Sequence, residues 1–453
     1  MAEVSTQPGS PAHETKLNRT IGVALLFFFI VGDTLGAGIY TLIGTMAADV
    51  GGMLWLPLLL ALVLALLTAG TYAEMITKYP HAGGAARYAD RAFGVPYLTF
   101  VVGFFMAASG ITTSAALANA FTGHYLTALV DVPTIPVTVV FLLLLIAINL
   151  RGVRESLSAN VVMTVVETTG LVLVIVVAAI VFGSGDGDPA RVLTPSPDQP
   201  ILTGAFAASV VAFFSFLGFE AAANMAEEVK DPTRAYPRAL FGAIGTAALI
   251  YLLIALGAAV VVAPDVLATS SGPLLEVITA SGLAIPGWLF STIALIAIAN
   301  GALLFMVMAS RAAYGLAEAG LLPAVFGRVG PTRRTPWVAI LVVGGATIGM
   351  SFVGNVGQLA DTTVLLLVIV FIATNVSCLV LKSDRVEHEH FTIPTFVPVL
   401  AIIASIVLLT QQTSDIWLLA GAYLVVGSIL FLIARYSARR DPAGPGTTTS
   451  TTD

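Results

Sequence analysis

The chain has 453 residues, of which 57% are hydrophobic and only 10% charged, with a net charge of −6. A water-exposed globular surface carries about 25% charged residues, so this composition excludes a soluble protein and makes lipid the solvent for most of the chain. The lack of a basic stretch leaves no face for nucleic acid, and a single cysteine, Cys378, excludes an internal disulfide and any cysteine metal cluster.

Residues 1–16 are polar and are expected to form a disordered N-terminal tail, because they cannot bury a core. They lead into a long apolar stretch with no small-residue cut site, so the first span is expected to stay in the mature protein. Apolar stretches, each of a length suited to a hydrocarbon core of about 30 Å, predict twelve spans. They fall at 20–44, 53–76, 95–128, 134–150, 157–182, 203–227, 239–262, 286–314, 336–354, 360–381, 394–411 and 414–436. The expected fold class is an all-α polytopic membrane protein, closing in a disordered tail over 437–453.

Under this assignment all but one of the 20 lysines and arginines fall on one side, the exception being Arg191. A single missed span would scramble the later loops, so the split supports the span count. By the positive-inside rule it makes both termini cytoplasmic. That orientation, with no targeting segment, fits the cytoplasmic membrane. The lone tryptophans, Trp55, Trp288, Trp337 and Trp417, fall near span ends, where interfacial anchors belong.

No base lies deep in any span, but three acids do: Asp33, Glu167 and Glu220, near the middle of spans one, five and six. Intramembrane carboxylates are costly and are functional candidates by default. Without a base they must be protonated, bind a cation or face a cationic solute. The alternative is a permanently protonated acid bonded to a neighbouring helix.

Span one contains VGDTLGAGIY (31–40), with Gly32, Gly36, Gly38 and then Gly44 where a helix should be strongest. Gly32 and Gly36 also have the spacing of small-residue helix packing, but the cluster at 36–38 fits a local break better. Span six is interrupted by Gly218 beside Glu220. The two spans occupy the same place in consecutive blocks of five that start from opposite sides, an inverted repeat over 17–182 and 183–381, with 382–436 carrying the last two spans. Paired interrupted spans of this kind point to a transporter binding site.

Four stretches, GAGIY (36–40), YPHAGGAARYADRAFG (79–94), FFSFLGFEAAANMAEEVKDPTRAYPRAL (213–240) and SRAAYGLAEAGLLP (310–323), together resemble the amino acid–polyamine–organocation superfamily. They look most like its branch of bacterial amino acid permeases and cationic amino acid transporters. The resemblance implies a five-plus-five inverted-repeat fold working by alternating access. It also implies a substrate carboxylate on the amides of Gly36, Ala37, Gly38 and Ile39. The substrate amine would sit on carbonyls around Gly32, Phe214, Ser215 and Leu217, with the Phe214 ring closing over it. Glu220 matches an acidic position near the side-chain pocket; alternatively it caps the second half of the broken helix.

In one place the sequence departs from the pattern. Proton-coupled members often carry a lysine in span five where Glu167 stands here, so their lysine mechanism cannot be assumed. Asp33 and Glu167 come from helices that approach each other in such a fold, and close carboxylates raise each other's proton affinity. They are therefore expected to share a proton or hold a cation, H+ or Na+, coupled to transport.

The expected function is secondary transport of an amino acid by symport or antiport, with a polyamine or other organic amine, or a transport-dead sensor, as alternatives. A P-loop is missing, which excludes an ATP-driven pump formed by this chain alone. No nucleophile–base constellation marks an enzyme, and no cofactor is expected. His388 and His390 in VEHEHF (386–391) are expected to be a solvated loop rather than a metal site.

Overall fold

The computed structural model describes residues 21–80, 84–151, 156–331, 333 and 335–440. The tail over 1–16 lies outside the described residues, as do positions 81–83 of the YPHAGG stretch and residues 441–453. The described chain is helical, with one isolated bridge, Ile21 to Val229. The helices are α1 Val23–Thr34, α2 Ala37–Val50, α3 Trp55–Lys78, α4 Gly84–Phe93, α5 Pro96–Phe121 and α6 His124–Thr127. They continue as α7 Thr134–Arg151, α8 Ser156–Ser184, α9 Ile201–Ser215, α10 Pro232–Val261, α11 Pro264–Thr269 and α12 Pro273–Ala280. The last are α13 Gly287–Glu318, α14 Trp337–Ser351, α15 Val356–Val380, α16 Phe396–Thr410 and α17 Ser414–Arg440.

Eight of these, α3, α5, α7, α8, α10, α13, α15 and α17, are long and apolar enough to cross a membrane. The α1–α2 pair makes a ninth, bent by 41° at its break, and α9, α14 and α16 are shorter apolar helices. Each predicted span thus has its helix. In lipid the backbone must satisfy its own hydrogen bonds, and a helix does so within one segment.

The sequence reading missed several details. Span one runs on to Val50 and stops only at Gly51, whose φ of 64° ends the helix. The third predicted span ends as a helix at Phe121 and restarts after Gly123 as the short α6. The second half of span six is a 3₁₀ helix, Phe219–Glu228. Two stretches read as loops are partly helical: α4, and α11 with α12. The helix α17 continues to Arg440, into the stretch read as a C-terminal tail.

The inverted repeat is visible in the packing. Pairing α1–α2, α3, α5, α7 and α8 with α9–3₁₀, α10, α13, α14 and α15 brings mates together. The mates α3 and α10, α5 and α13, and α7 and α14 pack on each other. The contact of α1 with α10 is mirrored by α9 with α3, α1 with α8 by α9 with α15, and α8 with α13 by α15 with α5. One hydrophobic core runs through both halves.

At the basic side, polar groups tie α3 to the end of α15 and the loop after it. The Thr71 hydroxyl donates to Asn375 Oδ1 (2.6 Å), and Lys78 Nζ donates to the Leu381 carbonyl (2.7 Å). The Glu74 carboxylate, only 2% exposed, accepts from Lys382 Nζ (2.5 Å) and from the Ile393 N–H (2.8 Å). Beside them Asp384 accepts from Tyr79 (2.6 Å) and Arg91 (2.9 Å), and these partners hold its carboxyl below the usual aspartate range. The stability that such a depressed group contributes is complete above the ordinary aspartate range and is lost progressively as pH falls from there through its lowered value. His388 of the VEHEHF stretch faces the Thr77 carbonyl (3.1 Å), which pins that loop under α3.

Removing Lys382 strands a buried carboxylate. Lys382→Met should destabilise the detergent-solubilised protein by about 3 kcal/mol. Adding Glu74→Gln should restore most of it, read as the melting temperature of the single and double variants.

Candidate functional site

The two predicted breaks occur where the glycines placed them, and they face each other. Helix α1 ends at Thr34 and α2 begins at Ala37, with Leu35 and Gly36 between. Helix α9 ends at Ser215, and Gly218 turns the chain with a φ of 118° into the 3₁₀ segment. An L side chain rarely adopts that φ. A Cβ on Gly218 would also lie 2.8 Å from the Asp33 carbonyl carbon and oxygen, and 2.9 Å from its Cγ. The turn of span six is therefore packed directly on Asp33 of span one.

The other glycines divide by role. A Cβ on Gly38 would sit 3.0 Å from Ser215 Cα and 3.3 Å from the Phe214 ring, so Gly38 lets α2 touch the end of α9. Gly32 lies inside α1, and a Cβ there would overlap the Thr164 hydroxyl of α8. Gly32 thus serves helix packing, the small-residue reading, while Gly36 is the N-cap of α2.

Helix α2 starts with no side-chain cap. The N–H groups of its first turn, from Ala37, Gly38 and Ile39, have no intrahelical acceptor, and a helix start of this kind suits an anion. Across from it, the Phe214 carbonyl accepts the Leu217 N–H at 3.2 Å. The Ser215 carbonyl accepts the Tyr251 hydroxyl at 2.9 Å, and the same hydroxyl also meets the Thr34 carbonyl. Tyr251, on α10 and fully buried, thus clasps the cut ends of both spans. The sequence reading missed it; its signal was a phenol in mid-span, where a hydroxyl needs a partner.

All three deep acids reach this region. Glu167 is fully buried, and neither carboxylate oxygen has a hydrogen-bond partner. The Tyr40 hydroxyl donates to its backbone carbonyl instead (2.7 Å), and Tyr125 braces Tyr40 through the Tyr40 carbonyl (2.6 Å). Glu220, 1% exposed, accepts the Gly218 N–H at 2.9 Å through Oε2. That oxygen performs the capping role, while Oε1 is buried without a partner. Asp33, 9% exposed, stands within electrostatic reach of both Glu167 and Glu220. The hydroxyls of Thr34 and Ser215, at the two cut ends, are also buried without partners. Phe214 and Leu217 are buried beside them.

Comparison with known proteins matches residues 21–431 to the amino acid permease family. An uncharacterised transporter of Mycobacterium tuberculosis is 28% identical over 94% of this chain and 93% of its own. The methylthioribose transporter of Bacillus subtilis is 27% identical over 92% of this chain and 93% of its own. Cationic amino acid transporter 9, chloroplastic, of Arabidopsis thaliana is 30% identical over 70% of this chain and 58% of the plant protein. A family match over nearly all of the described chain agrees with the broken-span architecture, and the chain belongs to the amino acid permease family of multi-span membrane transporters.

Proposed function

We propose that this transporter carries an amino acid, with a preference for cationic ones, across the cytoplasmic membrane by alternating access, with a proton as the co-ion. The observation that carries the reading is the meeting of two glycine-broken spans around unpartnered polar groups. An α-amino acid has the complementary chemistry. Its carboxylate suits the free amides of Gly36, Ala37, Gly38 and Ile39 at the start of α2. Its ammonium suits the carbonyls and hydroxyls at the ends of α1 and α9, around Gly32, Phe214, Ser215 and Leu217.

The preference for a cation follows from charge. Three carboxylates are buried around the breaks, and no lysine or arginine stands deep in any span. Each uncompensated buried charge costs several kcal/mol, so the site holds protons, a cation or a cationic solute. Its relatives in the cationic amino acid transporter group support the same choice. Asp33 and Glu167 carry the coupling proton in this reading, with Glu167 taking the place that a lysine holds in other proton-coupled members. The two repeats, 17–182 and 183–381, move relative to each other around the breaks. Both termini face the cytoplasm with the basic side.

The first test is uptake into proteoliposomes of labelled Ala, Leu, Glu, Arg, Lys and putrescine, with and without an inward proton gradient at fixed sodium. Saturable uptake of Arg or Lys, accelerated by the gradient, is the expected result. Preference for putrescine would replace the amino acid with a polyamine. Glu167→Gln should remove the acceleration, and full gradient-driven uptake by that variant would end the role given to Glu167.

Two backbone predictions follow from the clasp. Tyr251→Phe strands two carbonyls at the breaks and should destabilise by about 2 kcal/mol, seen as a lowered melting temperature together with reduced uptake. Gly218→Ala should be worse than Tyr251→Phe in both measurements, because its methyl group meets the Asp33 backbone as well as its side chain, at a φ an L residue rarely adopts.

A further inference from the structure

Buried polar atoms that lack partners occur at several places among the described residues, Ser291, Asp361 and Ser405 among them. Those on Glu167, Glu220, Tyr72 and Tyr88 can be joined through Asp33: Gly218 packs on Asp33 and gives its N–H to Glu220, and the neighbouring Phe219 ring packs on Tyr72, which packs on Tyr88. Glu167 on α8 is the first, with both oxygens free. Asp33 on α1 follows, within electrostatic reach of Glu167 on one side and of Glu220 on the other. Glu220 presents its free Oε1, and Tyr72 on α3 lies within its electrostatic reach. The Tyr72 hydroxyl has the Thr374 hydroxyl beside it but completes no hydrogen bond. Thr374 gives its own proton to the Val370 carbonyl (3.0 Å). The last member is Tyr88 on α4, its ring centroid 6.5 Å from that of Tyr72 and its hydroxyl again unpartnered.

Helix α4 connects spans two and three on the basic side and carries exposed Arg87 and Arg91. The row therefore starts at the breaks and ends on a surface helix. Its sides are closed by apolar rings: Phe219 and Phe371 pack edge-on against Tyr72 at 5.9 and 5.8 Å. Other titratable groups turn elsewhere or sit at the ends. Tyr40 and Tyr251 are near Glu167 but donate to backbone carbonyls. On α10, Tyr236 donates to the Ala222 carbonyl. Arg87 acts on Tyr88 at the outlet.

Unpartnered buried polar groups are rare in native folds and call for an explanation. We infer that Glu220, Tyr72 and Tyr88 form the exit path by which the coupling proton leaves Asp33 and Glu167 for the basic side. The proton passes from the Asp33 carboxylic acid to the Glu220 carboxylate, one O–H bond breaking as the other forms. It then moves over Tyr72 and Tyr88, each phenol accepting one proton and giving up its own, and ends as hydronium in the basic-side solvent. The path rests on the proton-coupled reading, and Glu220 becomes a transport residue as well as a cap.

The test uses proteoliposomes with a pH-sensitive dye inside and labelled lysine as probe, so that protons and substrate are counted together. In the unmodified protein, lysine entry should acidify the lumen at a fixed proton-to-lysine ratio. Lysine movement without protons, or no lysine movement, would overturn the coupling reading and the path with it. Given coupling, Glu220→Gln should lower the ratio by about tenfold or more, while Glu220→Asp should retain it. An unchanged ratio in Glu220→Gln would overturn the path and leave the coupling reading standing. Tyr88→Phe lies away from the breaks and should leave lysine counterflow at equal pH unchanged. Gradient-driven entry should slow by about tenfold in that variant, and an equal rate would remove Tyr88, and with it this outlet, from the path.

Discussion

Everything at the centre of this protein follows from one constraint: a helix broken inside lipid must find partners for the backbone groups that the break sets free. Two spans are broken at the same depth, and each supplies part of the solution for the other. The Tyr251 hydroxyl serves carbonyls from both cut ends, Thr34 and Ser215. Gly218 lies against Asp33, and Glu220 holds the Gly218 N–H. The breaks are thus coupled parts. A movement of one half-helix would change the hydrogen bonding of the other.

The repeat is symmetric in its backbone but not in its chemistry. On α10, Tyr251 bridges the breaks; on the mate helix α3, Tyr72 packs among Phe219, Phe371 and Tyr88 near the basic side. On α8, Glu167 faces span one with a free carboxylate. Its mate helix α15 instead carries Thr374 and Asn375, whose side chains bond to their own helix or to α3. The second repeat therefore carries the clasp and the first carries the acid with no partner, and neither is matched on its mate helix. Polar groups that satisfy each other fix two helices together, whereas those left free remain available for a ligand or a proton.

Much of this was legible in the sequence because lipid imposes a simple code. Span positions, sidedness of the charges and the glycine punctuation at 36–38 and 218 all reflect hydropathy and backbone freedom, which are local properties. The same locality explains what escaped. Whether Gly32 opens a helix or admits Thr164 depends on a neighbour about 130 positions away. The clasp by Tyr251 joins residues 217 apart in sequence. A phenol amid apolar residues was visible, but its target was not. The 3₁₀ course of Phe219–Glu228 likewise follows from the way Gly218 and Glu220 start it, and composition alone does not reveal that.

If transport is proton-coupled as proposed, an acid in span five where similar proteins often carry a lysine bears on the direction of coupling. A lysine there is already cationic when the site is empty, and its ammonium can satisfy nearby carbonyls while repelling a second cation. Glu167 works in the opposite sense: charged, it attracts an ammonium, and protonated, it is nearly indifferent to one. If proton and substrate cation competed for the same carboxylate, loading one would expel the other, and the transporter would exchange them. Co-transport requires that they occupy different groups. The groups proposed for the substrate and for the proton lie on different elements. The carbonyls and hydroxyls at the ends of α1 and α9 lie at the breaks, whereas the free oxygens of Glu167 belong to a helix that only flanks them. Asp33, between the two, feels the charge on both Glu167 and Glu220. In the proton-coupled reading proposed above, it is the residue at which occupancy by a substrate would be converted into a change in proton affinity.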